Sequence, residues 1–373
     1  MSARFGLDLP DYPWDQLTRY RRRAAEHPGG VCDLSIGTPV DPTPQVIQHA
    51  LSAAGDAHGY PTTAGTPELR ESIAWWYEHW HGVQVDPHAE VLPTIGSKEL
   101  VAWLPTLLGL RQAGLAVACP HAAYPTYEMG ATIAGVECRR LDAAEILAGA
   151  SLDGIGLLWI NTPGNPTGEV LDRDTLAEVV RRARAAGVVL ASDECYGLLN
   201  WEADEPAPSV LAVTGSDHSG VLSVYSMSKQ SNLAGYRAAF VAGDAALIAD
   251  LTRTRKHAGM IVPFPVQSAM IAGLRDTAHV LAQKERYRVR RDRLRPALEN
   301  YGFRIDHSTA GLYLWSSADE DCWSSLSRLA DLGIVAGPGG FYGEAAAGHV
   351  RVALTAADER IAAAADRLDA AAV

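Results

Sequence analysis

The chain is poor in cysteine and has no long apolar run. Its five cysteines are scattered and form no CxxC pair. Such spacing argues against a disulfide framework and against a structural metal site, so no resident metal is expected. No stretch approaches the roughly 20 apolar residues that a membrane helix requires. Reduced thiols without a membrane segment predict a cytoplasmic protein.

Basic residues are also scarce relative to acidic ones. The chain has 32 Lys and Arg against 44 Asp and Glu, which gives a formal net charge of −12. This balance excludes nucleic acid and anionic membranes as expected partners. With 373 residues, 47% hydrophobic and 20% charged, the composition is that of an ordinary globular protein. The length is sufficient for two domains.

Short apolar runs alternate with helical patterns through the first two thirds of the chain. This alternation predicts a mostly parallel sheet in an α/β domain. The predicted strands are 115–119, 136–141, 155–160, 188–191, 221–225 and 238–242. The run 91–94 is interpreted instead as a turn that leads into a helix at Ser97.

The pattern changes after about residue 255. A long charged helix is predicted over 277–300, followed by short strands near 303–305 and 312–315 and by two more helices. We therefore predict a large α/β domain over residues 45–255. Residues 256–373 form a smaller α+β domain in this prediction, which residues 1–44 join as an N-terminal arm.

One stretch offers a lysine at the end of a predicted strand. Lys229 follows strand 221–225 and is preceded by Ser226 and Ser228, and Arg237 comes eight residues later. Ligands of open α/β sheets bind at such strand ends. A desolvated lysine can form a Schiff base, while the hydroxyls and the guanidinium can bind a phosphate. The alternative is a solvent-exposed Ser/Lys/Arg loop.

A second anion site is predicted at Gly96-Ser97-Lys98, where a helix begins. The first amides of a helix are free, and its amino end carries positive potential. Ser97 and Lys98 add further donors. The alternative is an ordinary helix cap by Ser97.

Four polar residues fall at the ends of predicted strands: Asn165, Asp193, Tyr196 and Lys229. Because parallel strands end at one edge of a sheet, these side chains can converge. Their chemistry fits pyridoxal 5'-phosphate. Asp193 would keep the ring nitrogen protonated, Asn165 and Tyr196 would bond the phenolic oxygen, and Tyr124 would lie on the ring face. Taken singly, Asn165 could be a turn residue, Asp193 a helix cap and Tyr124 a core residue.

The phosphate of this cofactor would be held by small and basic residues from both anion sites. They are Gly96, Ser97, Lys98, Ser226, Ser228 and Arg237.

Three motifs make the chain resemble the class I/II (fold type I) pyridoxal-phosphate aminotransferases. They are N-T-P-G-N-P-T-G at 161–168, S-D-E-C-Y at 192–196 and S-M-S-K-x7-R at 226–237. The resemblance covers the chain from Gly37 to Arg351. It implies an enzyme of this fold that acts on small amino and oxo acids, with Lys229, Asp193 and Tyr196 as its catalytic residues.

The resemblance also implies roles that the residues alone do not. Gly37 and Asn165 would contact the substrate, and Arg351 would bind its α-carboxylate. Tyr60 would reach the cofactor phosphate of a neighbouring subunit, so a homodimer with shared active sites is implied.

More narrowly, the chain resembles the actinobacterial N-succinyldiaminopimelate aminotransferases of lysine biosynthesis. The runs P-W-D-x-L, D-L-S-x-G-T-P-V-D-P and S-K-x-S-N-L-A-G-Y-R carry this likeness. It implies exchange of an amino group between L-glutamate/2-oxoglutarate and N-succinyl-LL-diaminopimelate. The exchange would follow a ping-pong mechanism that passes through pyridoxamine phosphate.

Other functions share most of these motifs. An aminotransferase for aspartate, alanine or LL-diaminopimelate, or a pyridoxal-phosphate C–S β-lyase, would retain them. A cofactor-binding DNA regulator is disfavoured by the acidic charge. An inactive scaffold would be expected to lose some of Lys229, Asp193 and Arg237, and all three are present.

A dicarboxylic substrate calls for a second cation in the site. The candidates are Arg21, Arg22 and Arg23 on the arm and Arg253, Arg255, Lys256 and His257 after the large domain. Arg255 or Lys256 is preferred, with a solvated basic helix face as the alternative. Tyr12 and Trp14 are candidates for the pocket wall.

Overall fold

The computed structural model describes residues 6, 9 and 13–372. The strands are β1 (Cys32–Asp33), β2 (Val91–Ile95), β3 (Ala116–Cys119), β4 (Cys138–Arg140), β5 (Ile155–Asn161), β6 (Val189–Asp193), β7 (Val221–Ser226), β8 (Ala238–Gly243), β9 (Arg304–Asp306), β10 (Tyr313–Ser317), β11 (Ile334–Val335), β12 (Gly337–Pro338) and β13 (Val350–Ala353). The helices are α1 (Thr18–Ala25), α2 (Gln45–Ala53), α3 (Pro67–His81), α4 (Ser97–Leu107), α5 (Leu110–Ala113), α6 (Thr126–Ala134), α7 (Ala143–Leu147), α8 (Arg173–Ala185), α9 (Met227–Gln230), α10 (Ala245–Ala258), α11 (Phe264–Arg275), α12 (Thr277–Asn300), α13 (Cys322–Asp331) and α14 (Asp358–Ala371). Short 3-10 helices occupy Pro13–Leu17, Val210–Val213, Ala234–Tyr236, Gly339–Tyr342 and Glu344–Ala346.

A seven-stranded sheet in the order β2-β8-β7-β6-β5-β3-β4 forms the centre of the larger part. β8 runs antiparallel to both of its neighbours, and the other strand pairs are parallel. The chain passes from β3 outward to β4 and then returns across β3 to β5. This reversal opens a crevice at the carboxyl ends of the strands, where α/β sheets bind ligands.

Both faces of this sheet are covered by apolar side chains. Leu158 and Leu190 belong to the cluster on one face, and Leu157 and Leu222 belong to the cluster on the other. Strands buried on both faces have near-continuous apolar sequences, which explains the run Ile155–Ile160.

The smaller part contains a four-stranded antiparallel sheet in the order β12-β13-β10-β9 and the parallel pair β1–β11. Leu17, Tyr20 and Ala24 from the chain's start lie in the same apolar cluster as Leu326 and Ile361 from its end. The N-terminal segment therefore packs on C-terminal elements.

The mostly parallel sheet with an additional smaller α+β part confirms the predicted fold class. The interpretation of residues 91–94 as a turn was wrong, because Val91–Ile95 forms strand β2. Pro93 cannot donate a backbone hydrogen bond, but β2 is an edge strand and tolerates it. The domain boundaries stay a prediction, and the one placed after residue 255 falls within α10.

Among the described residues, no helix is long and apolar enough to cross a membrane.

Candidate active site

A cavity of about 780 Å³ lies at the carboxyl ends of the parallel strands, against the smaller sheet. Its wall includes the predicted site residues Gly37, Ser97, Lys98, Tyr124, Asn165, Asp193, Tyr196, Ser226, Ser228, Lys229, Arg237 and Arg351. The structure thus brings together groups that are up to 314 positions apart in the sequence, from Gly37 to Arg351.

Lys229 lies in the short helix α9, directly after β7. Its Nζ donates a hydrogen bond to the backbone oxygen of Gly37. Burial lowers the pKa of this amine, because the charged form loses its hydration. An amine with a lowered pKa is a better nucleophile and a better base near neutral pH.

Asp193 is the last residue of β6 and is buried in the floor of the cavity. Its Oδ2 accepts a hydrogen bond of 2.9 Å from the Tyr127 hydroxyl, and its Oδ1 accepts one of 3.2 Å from the backbone amide of Cys195. The Tyr127 ring stacks on Trp159, with 5.0 Å between the centroids. Burial raises the pKa of the Asp193 carboxyl, as expected for an acid with no cationic partner among the described residues.

The predicted phosphate-binding residues lie together at the amino ends of α4 and α9. Ser226 Oγ donates to Ser228 Oγ at 2.9 Å and accepts from the Ser228 amide at 3.2 Å. Gly96 precedes α4 with φ of +80°, and a Cβ built on it would lie 2.2 Å from a terminal nitrogen of Arg237. A side chain at position 96 would thus displace the guanidinium, which explains glycine there.

Two tyrosines meet inside the cavity. The hydroxyls of Tyr196 and Tyr313 are 3.1 Å apart. A Cβ built on Gly37 would lie 2.0 Å from the Tyr313 hydroxyl oxygen, so only glycine fits beside it. Burial alone would raise the pKa of Tyr313, but the positive charges of Arg351 and Lys229 hold it below its ordinary value.

Arg351 of β13 is almost fully buried, with 4% of its surface exposed. It donates hydrogen bonds of 2.9 Å to Asn165 Oδ1 and to the backbone oxygen of Ser35. Its guanidinium carbon lies 3.9 Å from the centroid of the Tyr313 ring and 5.6 Å from that of Trp14. The ion pairs formed by the described residues do not include Arg351, and its buried Nε has no hydrogen-bond partner among them. An unpaired buried cation of this kind fits an incoming carboxylate.

The residues of the cavity fit pyridoxal phosphate. Five cationic side chains line the wall: Arg21, Lys98, Lys229, Arg237 and Arg351. The carboxylates on the same wall are Asp15 and Asp193. This excess of positive charge suits the simultaneous binding of a phosphate and a carboxylate. Because Gly96 has no side chain, the Arg237 guanidinium can lie beside it at the proposed phosphate end of the cavity.

Some predicted residues lie elsewhere. Tyr60 is fully exposed on this chain and does not line the cavity, so its role toward a second subunit stays a prediction. Gly96 contacts Arg237 without lining the cavity. Tyr12 lies outside the described residues.

The preference for Arg255 as the second cation was wrong. Arg255 is fully buried and donates two hydrogen bonds of 2.9 Å to the carboxylate of Glu99, so its charge is already neutralised. Lys256 is exposed and does not line the cavity either. Arg21 and Trp14 do line it.

The sequence reasoning missed Tyr313 and Tyr127. Tyr313 is recognisable only once the fold is known, because it reaches Tyr196 across 117 positions. Tyr127 reaches Asp193 across 66 positions. For Tyr127, proximity to Tyr124 in the loop after β3 was the one available signal.

Comparison with known proteins gives a consistent result. Residues 30–368 match the family model described as aminotransferase class I and II. The chain is 51% identical over 361 residues to 4-dedimethylamino-4-oxo-anhydrotetracycline transaminase of Streptomyces rimosus, covering 97% of this chain and 99% of that protein. It is 52% identical over 368 residues to a probable aminotransferase of Mycobacterium tuberculosis, covering 98% and 87%.

Solved structures share the whole fold. An aminotransferase from Neisseria meningitidis superposes with a TM-score of 0.87 at 30% identity, covering 98% of each chain. A probable N-succinyldiaminopimelate aminotransferase from Thermus thermophilus superposes with a TM-score of 0.86 at 29% identity, covering 96% of this chain and all of the other.

Proposed function

The chain belongs to the class I and II aminotransferase family, whose members depend on pyridoxal phosphate, and from this we propose that it transfers an amino group from L-glutamate to an oxo acid. The acceptor that we propose is the oxo acid corresponding to N-succinyl-LL-diaminopimelate. The observation that carries the proposal is the buried Arg351, which has no ion-pair partner among the described residues and lies in the same cavity as Lys229.

Pyridoxal phosphate supplies, when bound, the electron-withdrawing ring that stabilises negative charge at the substrate's Cα. We assign Ser97, Lys98, Ser226, Ser228 and Arg237 to its phosphate, with Gly96 giving Arg237 room.

The Asp193 carboxylate would bind the ring nitrogen, held in place by its hydrogen bond from Tyr127. Tyr196 and the amide nitrogen of Asn165 would donate to the ring oxygen. Tyr124 would cover the ring face. The Tyr196 and Tyr313 hydroxyls are 3.1 Å apart and either can donate to the other. In the proposed arrangement Tyr313 would donate to Tyr196, which would leave the Tyr196 proton for the ring oxygen.

Lys229 and Arg351 act on the substrate. Arg351 would bind the α-carboxylate, since it offers planar donors and, among the described residues, its Nε has no hydrogen-bond partner. The Lys229 amine, with its pKa lowered by burial, would remove the proton from the substrate's Cα as a general base and would deliver it, as a general acid, to the cofactor's C4′ carbon. Gly37 accepts a hydrogen bond from Lys229 and orients its amine.

The acceptor is proposed from similarity. One solved structure of the same fold carries the description probable N-succinyldiaminopimelate aminotransferase. The cavity of about 780 Å³ lies within the range of small-molecule sites and would hold the cofactor together with the substrate. We also propose a homodimer in which Tyr60 of each chain completes the other site, supported by the full exposure of Tyr60.

The proposal is tested by steady-state kinetics with a panel of donors in the presence of 2-oxoglutarate. N-succinyl-LL-diaminopimelate should give the highest kcat/KM, ahead of LL-diaminopimelate, L-aspartate and L-alanine, and double-reciprocal plots should be parallel. A higher kcat/KM for another donor would reject N-succinyl-LL-diaminopimelate as the substrate but would leave the assignment as an aminotransferase intact. A higher value for a bulky cyclic amine would instead favour a role like that of the tetracycline transaminase relative.

A further inference from the structure

Arg21 is the cationic side chain of the cavity wall that has no role in the arrangement above. Lys98 and Arg237 are assigned to the phosphate, Lys229 to the reacting carbon and Arg351 to the α-carboxylate. We propose that Arg21 binds the second carboxylate of dicarboxylic substrates. The inference deepens the proposed function and rests on it for the place of the α-carboxylate at Arg351.

The position of Arg21 is fixed by the packing of its helix. Arg21 lies on α1, which buries Tyr20 and Ala24 in the core of the smaller part. The Tyr20 ring stacks on Trp323, with 5.8 Å between the centroids. Arg23 on the same helix is paired with Asp331 at 2.5 Å. The Arg21 guanidinium is therefore presented from an anchored helix, which limits the entropy that is lost when it binds a ligand.

Arg21 and Arg351 meet at one serine. Arg21 donates from a terminal nitrogen to Ser35 Oγ at 3.2 Å, while Arg351 donates to the backbone oxygen of the same residue at 2.9 Å. The two guanidinium groups thus lie on adjacent parts of the cavity wall. A substrate whose α-carboxylate is bound by Arg351 can direct its other carboxylate toward Arg21.

Arg21 keeps donors available for a ligand. A guanidinium has five N–H donors, and the two hydrogen bonds of Arg21 to protein use its Nε and one terminal nitrogen. The side chain is 34% exposed, whereas Arg255 is fully buried and doubly bonded to Glu99. The remaining N–H groups suit the bidentate binding of a carboxylate.

One carboxylate bonded to Arg21 and another on the cavity wall oppose the binding of an anion. Asp33 Oδ2 accepts from Arg21 Nε at 3.2 Å, and Asp15 lines the same cavity. Asp33 also accepts from the backbone amide and the hydroxyl of Ser35, at 3.0 and 2.5 Å. Asp33 consequently orients Arg21 and lowers its effective charge. Removing the charge of Asp33 should strengthen the binding of a dicarboxylate.

The test compares glutarate with butyrate as unreactive ligands of the cofactor-loaded enzyme, with dissociation constants read from the change in visible absorption. Arg21→Gln should raise the dissociation constant of glutarate about 10- to 100-fold, which is the range for the loss of a charge-assisted hydrogen bond. The dissociation constant of butyrate should change less than about threefold. Arg22→Gln, on the exposed side of the same helix, is the matched control and should change neither.

Asp33→Asn separates ligand binding from a structural role. If Arg21 binds the carboxylate, Asp33→Asn tightens glutarate several-fold and leaves butyrate unchanged. If the Arg21–Asp33 pair only supports the fold, both substitutions weaken both ligands alike, and the proposal is overturned.

Kinetics distinguish this proposal from the proposed function. KM for L-glutamate should rise in Arg21→Gln by the same factor as the glutarate dissociation constant, while KM for L-alanine stays within about threefold. Glutarate binding that depends on Arg21 in an enzyme that does not use glutamate would reject the donor and keep the role of Arg21. Glutarate binding that does not depend on Arg21 would reject the role whatever the donor.

Discussion

Arg351 donates a 2.9 Å hydrogen bond to Asn165 Oδ1 and so connects the smaller sheet to the loop that follows β5 of the large sheet. The two residues are 186 positions apart in the chain. This contact places the proposed carboxylate-binding group of one half of the molecule directly beside the proposed cofactor-binding amide of the other.

Arg351→Lys should raise KM for every amino donor by about 10²-fold, because lysine keeps the charge but loses the planar pair of donors that match a carboxylate. The loss should appear for L-glutamate and L-alanine alike, since both have an α-carboxylate. Arg253→Lys serves as the control, because the Arg253 side chain is 72% exposed and lies outside the cavity. An unchanged KM in Arg351→Lys would remove Arg351 from this role.

Tyr313→Phe should shift a spectroscopic pH profile. The change keeps the ring under Arg351 but removes the hydroxyl that contacts Tyr196 at 3.1 Å. Without a donor behind it, Tyr196 makes a weaker hydrogen bond to the cofactor's ring oxygen. The apparent pKa read from the visible absorption should therefore rise by about 0.5–1, equivalent to one neutral hydrogen bond.

The control for Tyr313→Phe is Tyr301→Phe, because the Tyr301 ring packs against Phe303 and does not line the cavity. A pH profile that superposes on that of the unsubstituted enzyme would mean that the Tyr313 hydroxyl does not act through Tyr196.

Gly96→Ala should weaken the binding of pyridoxal phosphate about tenfold or more, because the new Cβ at position 96 would lie 2.2 Å from Arg237 and displace the guanidinium. Gly114→Ala provides the comparison. Gly114 has a similar φ of +68°, but a Cβ built there meets nothing within 4 Å. Gly114→Ala carries about 1–2 kcal/mol of left-handed strain, whereas Gly96, with ψ of 150°, lies in a backbone region that is essentially restricted to glycine, so Gly96→Ala should also lose more stability. Equal cofactor affinity in the two variants, measured by equilibrium dialysis, would refute the steric explanation.

Glu194 should make stability depend on pH. It is fully buried behind Asp193 and accepts hydrogen bonds from the Val210 amide at 2.7 Å and the Ser223 hydroxyl at 2.8 Å. Burial raises the pKa of its carboxyl from 4.5 to about 7. Between these values the folded state holds a proton that the unfolded state has lost. The unfolding free energy should therefore fall as the pH rises from 4.5 to 7 and level off above 7.

The size of this component is on the order of 3 kcal/mol, and Glu194→Gln should remove it. Urea denaturation at fixed protein concentration across this pH range measures it. The exposed Glu359→Gln should retain the pH dependence of the parent. A Glu194→Gln variant whose stability still falls between pH 4.5 and 7 like that of the parent would show that another group titrates.

The parts of the site that could be predicted from sequence are those that a strand end determines locally. Lys229 and Asp193 follow or end apolar strands, so their place at one sheet edge could be inferred from the alternation of strands and helices alone. Their chemistry then indicated the cofactor, and the motif at 161–168 indicated the family.

The parts that escaped prediction depend on contacts distant in the chain. Tyr313 enters the site because β10 pairs with β13. Arg21 was one of several candidates from sequence, but it could not be singled out because it enters the site through the packing of α1 against α13. Arg255 was misassigned because its partner Glu99 is 156 positions away. A basic residue that neutralises a buried carboxylate looks the same in sequence as one that faces a substrate.

The most direct test of the central claim is a single-turnover reaction of the cofactor-loaded enzyme with L-glutamate in the absence of any acceptor. We expect the visible band to disappear as one equivalent of 2-oxoglutarate is released per active site. In Lys229→Ala, which retains the cofactor pocket but lacks the amine, both changes should be slower by at least about 10³-fold. Release of 2-oxoglutarate by Lys229→Ala at the parent rate would contradict the assignment of proton transfer to Lys229.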